Sequence, residues 1–142
     1  MRWDYGAPPK QLGMVHVASS EMMFYHDMPL KLSHSWSIKR EPRLAVFDPI
    51  LAAAQSDFVA DFGLPRLCES YVYISAKRTY TPAGSTQTRP GWHTDGFGTD
   101  DINYVWCDGL PTEFCLQPFA LSDDHALSMH EMHEQARSEN VV

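Results

Sequence analysis

The clearest periodicity in the chain lies in DPILAAAQSDFVADF, residues 48–62. Ile50, Leu51, Ala54, Phe58 and Phe62 recur every three or four positions and lay one apolar stripe along a helix. Asp48 stands where a cap is needed, Pro49 fits the first helical position, and Gly63-Leu64-Pro65 closes the element. Upstream the period drops to two. Residues 14–26 open with Met14, Val15 and Val17 and predict a short strand. In KLSHSWSI, residues 31–38, Leu32, His34, Trp36 and Ile38 alternate with Lys31, Ser33, Ser35 and Ser37. That alternation predicts a strand with the first set buried.

Downstream the chain reads as β-rich. SYVYISAKRTYTP, residues 70–82, mixes tyrosines with Val72 and Ile74, which favours extended backbone until Pro82-Ala83-Gly84-Ser85 breaks it. INYVWCD, residues 102–108, predicts a strand before the Asp108-Gly109 turn, and TEFCLQPFAL, residues 112–121, predicts another. Ser122 then reads as an N-cap, with Asp123 and Asp124 in the favoured first turn of a helix that runs to about Arg137. Residues 1–13, with two prolines and two glycines, form an irregular arm. The expected class is α+β in one domain, residues 1–142: an N-terminal arm, strands and helix (1–69), β-strands (70–121) and a last helix (122–140).

Composition narrows the choice of function. The chain has 142 residues, 44% of them hydrophobic, which supports one real core and argues against disorder. A net charge of −7 disfavours binding a nucleic-acid backbone over the whole surface, although Lys77, Arg78 and Arg89 are a local basic strip. No apolar run approaches a membrane span and no secretory h-region opens the chain. Cys68, Cys107 and Cys115 have no CxxC spacing and read as free thiols of a reducing compartment, so the expected location is cytoplasmic.

Candidate chemistry concentrates in RPGWHTDGFGTDD, residues 89–101. On an extended segment His93 and Asp95 share one face, roughly 6–7 Å apart along the strand. Imidazole plus carboxylate suits Fe(II), Mn(II) or Zn(II). Gly91, Gly96 and Gly98 leave room for a ligand or another part of the chain. The plain alternative is an acidic, glycine-rich turn that happens to contain a histidine.

The order of features resembles the iron(II)/2-oxoglutarate-dependent dioxygenases. Arg78, Tyr80, Pro82 and Gly84 match the strand end and turn that precede the family's H-x-D, and His93 and Asp95 match H-x-D itself. The resemblance covers roughly residues 70–121 and implies a partial double-stranded β-helix, a jelly-roll or cupin-like roll with the N-terminal helix packed on it. It implies Fe(II) held by His93 and Asp95, and 2-oxoglutarate as small-molecule co-substrate near Arg78 and Tyr80. Substrate would lie near Tyr73, Trp92 and Phe97. The family's third ligand is a histidine on a late strand. Here His125, His130 and His133 all fall in a predicted helix, and His133 is taken as the third ligand. The late strands and their basic residue are not matched. An early stop, a natural truncation or a partner that supplies the strands each accounts for this. Unpaired strand edges would favour self-association or a partner chain.

Two other functions stand beside the oxygenase: a non-catalytic β-rich binding or assembly domain that keeps the motif, and a metal-dependent hydrolase that uses His93, Asp95 and a late histidine. Cys107 is read as core rather than as a nucleophile, and His26, Asp27 and His34 as surface or core groups. No phosphate loop, dinucleotide fingerprint or G-x-S-x-G elbow is present.

Overall fold

The structure, a computed structural model, describes residues 5–19, 21–86 and 89–142. The first four residues of the expected arm lie outside them. The protein is mixed α and β. In order come β1 (Met23–Lys31), a 3-10 turn (Pro42–Phe47), α1 (Asp48–Glu69), β2 (Val72–Arg78), α2 (His125–Gln135) and a second 3-10 turn (Ser138–Asn140). β1 and β2 pair antiparallel, and they form the only sheet among the described residues. No described helix is long and apolar enough to cross a membrane. The chain divides into two compact units, residues 12–82 and residues 1–11 with 83–142.

The first of these units is built on apolar burial. Leu30, Leu44 and Phe47 form its centre, and Met23, Tyr25, Met28, Ile50, Leu51, Val72, Ile74 and Ala76 pack around them. The strand over residues 70–82 forms as β2, with Val72, Ile74 and Ala76 inward and Tyr73, Ser75 and Lys77 exposed. Removing such apolar surface from water is the main favourable term in folding, so periodicity here predicts structure well. The helix over 48–62 also forms. Gly63 interrupts it at φ 85, ψ 160, a left-handed conformation that only glycine adopts cheaply. Helical structure then resumes through Pro65 to Glu69, which the closing signal Gly63-Leu64-Pro65 did not predict.

The strand expected over 31–38 does not form. Lys31 ends β1, the chain turns at Ser33-His34, and Leu32 and Trp36 are 63% and 69% exposed. The buried positions are Leu30 and Lys31, so burial does not follow the Leu32–Trp36 alternation. The physical reason is a helix end that needs donors. Lys31 Nζ donates to the carbonyls of Leu32, Cys68 and Ser70 at 2.9, 2.8 and 2.7 Å. The His34 N–H reaches Cys68 O at 2.8 Å and Ser33 Oγ reaches Glu69 O at 2.6 Å. The last carbonyls of a helix have no partners within it. A lysine and two residues that look like strand supply them here.

The second unit has few ladder bonds among its described residues. Residues 102–108 contain no strand: Tyr104 and Trp106 are half-buried, and Cys107 is exposed rather than core. In 112–121 a single bridge joins Cys115 to Val141, flanked by reciprocal bonds between Phe114 and Val142 at 2.9 Å. A double-stranded β-helix needs successive long ladders, and the described residues show two paired strands. Side chains do much of the pairing instead. Gln135 Oε1 accepts from Ala120 N–H at 2.9 Å while its Nε2 donates to Ala120 O at 2.8 Å. Gln117 Oε1 accepts from Arg137 N–H at 3.0 Å and Asn140 Nδ2 at 3.1 Å, and its Nε2 donates to Gln135 O at 2.8 Å.

The last helix forms as α2, shorter at both ends than expected. Its cap is Asp124, whose Oδ1 accepts from the Leu127 N–H at 2.8 Å, and not Ser122. Asp at this position satisfies one of the open N–H groups of the first turn. Ser122 is instead held by its own N–H, which donates to Glu131 Oε2 at 2.7 Å.

Candidate metal-binding pair

His93 and Asp95 lie in the unit made of residues 1–11 and 83–142. β2 ends at Arg78, and among the described residues no strand lies between it and His93. The two side chains nevertheless converge. His93 Nε2 stands 3.5 Å from Asp95 Oδ1. Residues 92–94 belong to no strand, and a turn over residues 95–98 follows directly. Gly96 sits at φ 69, and a Cβ there would come within 2.9 Å of Thr99 Oγ1. Gly96 O accepts from Thr99 N–H at 2.9 Å and from Thr99 Oγ1 at 2.7 Å, while Asn103 Nδ2 reaches Asp95 O at 3.4 Å. A glycine is therefore favoured at this position of the turn that follows Asp95.

The electrostatics of the pair are informative. His93 Nδ1 lies 3.3 Å from Gly91 O. A carbonyl oxygen only accepts, so a bond there goes with the tautomer that carries its proton on Nδ1. That tautomer turns the Nε2 lone pair to the carboxylate. A cation between the two would satisfy both. One choice is a second ring proton, which makes a plain imidazolium–carboxylate pair. The other is a metal ion. Ligand atoms about 2.1 Å from one ion and about 90–110° apart are about 3.0–3.4 Å from each other. The observed 3.5 Å falls beside that range. A backbone carbonyl on the remote ring nitrogen is also the usual support for a ligating histidine. His93 is about two-thirds shielded and Asp95 faces solvent, so an ion would have a protected and an open side.

The surroundings were not all legible from spacing. Phe97 is half-buried and packed between two rings, with Tyr5 stacked at 5.4 Å and His125 tilted at 5.5 Å between centroids. Thr94 Oγ1 lies 3.9 Å from Met132 Sδ, so the turn runs beside α2. Trp92 is half-buried. Nothing in the sequence pattern marked Tyr5 or Met132 as neighbours of the motif, and His125 stood out only as one of three late histidines.

Comparison with family models, with curated proteins and with solved structures gave no match for the chain.

His133 is exposed on α2, one residue on from the buried Met132 and so turned to a different side of the helix. Among the described residues no group of three or more His, Cys, Asp or Glu side chains is placed to hold one ion. His130 is engaged elsewhere, with Nε2 3.1 Å from Glu134 Oε1. Arg78, Tyr80 and Tyr73 belong to the unit of residues 12–82. Tyr73 and Tyr80 are exposed there and Arg78 is half-buried at the end of β2.

Proposed function

We propose that His93 and Asp95 together hold a divalent transition-metal ion, and that the chain works as a non-haem iron(II)/2-oxoglutarate-dependent oxygenase. The observation that supports the reading is the 3.5 Å approach of Nε2 to Oδ1, with Nδ1 turned to Gly91 O. The order of β2, the Pro82 to Gly84 turn and H-x-D supports the oxygenase class over other metal chemistry. The β-roll of that class is part of the proposal. With iron bound, 2-oxoglutarate is oxidatively decarboxylated to succinate and CO2; one oxygen atom of O2 enters succinate and the other converts a substrate C–H to C–OH. Within this reading the chain's residues have modest, separable roles. His93 supplies a nitrogen donor held in one tautomer, Asp95 a charged oxygen donor, and Trp92 partial cover beside them.

Metal titration followed by elemental analysis tests the pair. The wild type binds one equivalent of Fe(II) or of a Co(II) surrogate, and His93→Ala and Asp95→Ala each lose it. His133→Ala keeps it, because that side chain stands apart from the pair. Metal content unchanged in His93→Ala ends the reading. Iron-dependent release of succinate from 2-oxoglutarate then separates an oxygenase from a hydrolase on the same two ligands.

A further inference from the structure

The turn that follows Asp95 turns one side chain away from solvent. Gly96 O closes it onto Thr99, and from Asp95 to Asp100 every residue but Phe97 is exposed. The Phe97 ring meets two others. His125 opens α2, where Asp124 caps the first turn and Ser128 Oγ donates to His125 O at 2.7 Å, so that ring stands on a hydrogen-bonded element. Tyr5, stacked on Phe97 at 5.4 Å with 11° between the planes, belongs to the N-terminal arm. Of residues 5–11, Tyr5 and Gly6 are half-buried and the other five are exposed. Gly6 passes so close to the Gln117 carbonyl that a Cβ there would overlap it. The arm is thus buried through one ring and one glycine, and the ring rests on the residue that anchors the turn.

We propose that the N-terminal arm regulates the grip of the His93–Asp95 pair on its ion: Tyr5 on Phe97 steadies the turn, and the steadied turn presents Asp95 to His93. The inference rests on the metal reading above. Asp95 is the ligand that needs the help. Its side chain faces solvent, and its carbonyl is reached by Asn103 Nδ2 in a long contact of 3.4 Å. With the arm engaged, the carboxylate is ordered before the ion arrives. With the arm away, Phe97 keeps one ring neighbour instead of two, and the cost of ordering the turn falls on binding. Groups that orient a ligand from behind are part of what makes a metal site tight. A stacked ring pair is worth about two- to tenfold in an equilibrium beyond the area it buries, which sets the size of the effect. The coupling is reciprocal: whatever factor the arm adds to metal affinity, the metal adds to engagement of the arm.

Two measurements on the full chain test this. In Co(II) titration Tyr5→Ala binds about two- to tenfold more weakly than wild type, while Tyr5→Phe, which keeps the ring, binds as wild type does. Chymotrypsin cleavage after Tyr5 reports release of the arm, and saturating Co(II) slows it in the wild type by about the factor that Tyr5→Ala loses. In His93→Ala the same Co(II) leaves the cleavage rate unchanged, which separates the arm from any action of cobalt on the protease. The cleavage comparison needs no Tyr5 variant, so it decides the matter even if Tyr5→Ala folds poorly. Tyr5→Ala binding as tightly as wild type overturns the proposal, as does Tyr5→Phe binding as weakly as Tyr5→Ala. A wild-type cleavage rate indifferent to Co(II), or slowed equally in His93→Ala, overturns it too. The metal reading fails by a different result, His93→Ala that keeps the ion, and that result takes this inference with it.

Discussion

The two units of the chain solve the same problem by different means. Residues 12–82 carry a two-stranded ladder and a long helix and bury Leu30, Leu44 and Phe47. In residues 83–142, Gln117, Gln135, Asp124 and Glu131 offer side-chain amides and carboxylates where a sheet would offer another strand. Hydrophobic burial is non-directional and tolerates variation, whereas a side-chain clasp depends on one residue at one place. The first unit should therefore break at its apolar centre and the second at its amides.

The largest effect is expected at Leu44, which is fully buried at the middle of the first unit. Leu44→Ala removes its contacts and leaves a cavity, at a cost of about 2–5 kcal/mol. Urea unfolding followed by tryptophan fluorescence measures it. A loss below that range would mean that the first unit is not held by its apolar centre, and the contrast would fail on that side.

Lys31 shows where the first unit borrows the second unit's method. Its side chain is 3% exposed and its ammonium is fixed by three carbonyls, two of them from the end of α1. A cation at a helix C-terminus is favoured by the helix dipole as well as by the bonds. Lys31→Met keeps the stem and removes the donors, so three part-buried carbonyls lose a partner. The expected cost is about 2–3 kcal/mol, given that hydrogen bonds to charged groups are the stronger kind. Faster amide exchange at His34 and Ser70, more than at Ala76, would place the damage at the helix end.

Gln117 gives the matching test in the second unit. Its Oε1 accepts from Arg137 N–H and Asn140 Nδ2, and its Nε2 donates to Gln135 O. Gln117→Leu keeps the bulk and removes every one of these bonds, at a cost of about 1–2 kcal/mol. Hydrogen exchange should quicken at Leu116, Arg137 and Val142 and stay unchanged along β2. Equal quickening in both regions would show that the two are not held independently.

This contrast explains what could be read from the sequence. The helix over 48–62 and the strand that became β2 were legible because Phe58, Ile74 and their like mark a face turned from water. Residues 31–38, 102–108 and 112–121 carry alternation of the same quality, but alternation reports an extended chain and not a partner for it. No local pattern says that Gln135 will clasp Ala120 or that Lys31 will be drawn under a helix end. The approach of His93 to Asp95 was legible in its residues, while the strand that spacing suggested there is not formed and a turn over residues 95–98 follows. The ring contacts of Phe97 with Tyr5 and His125 were not legible in the spacing.

The smallest effect sharpens the comparison from the polar side. Arg40 and Asp48 form a two-pronged pair at the start of α1, Arg40 Nη2 to Asp48 Oδ2 at 2.6 Å and Nε to Oδ1. The hydrogen bonds from Arg40, and then its charge, hold the Asp48 carboxyl below the usual carboxylate range and raise Arg40 in turn. A depressed carboxyl stabilises the fold above its unfolded pKa, and that contribution fades as pH falls through the lowered folded value. For Arg40 the sign is opposite: its contribution is complete below its unfolded value and so does not change between acid and neutral pH. The pair is open to solvent and salt, which keeps its share of stability slight. Arg40→Met should move the Asp48 titration upward, read by carboxyl carbon NMR, and should narrow the stability gap to wild type as pH drops below that titration. An Asp48 that titrates at the same pH in both proteins would assign the depression to the first turn of α1 instead, where aligned backbone N–H groups also favour a carboxylate.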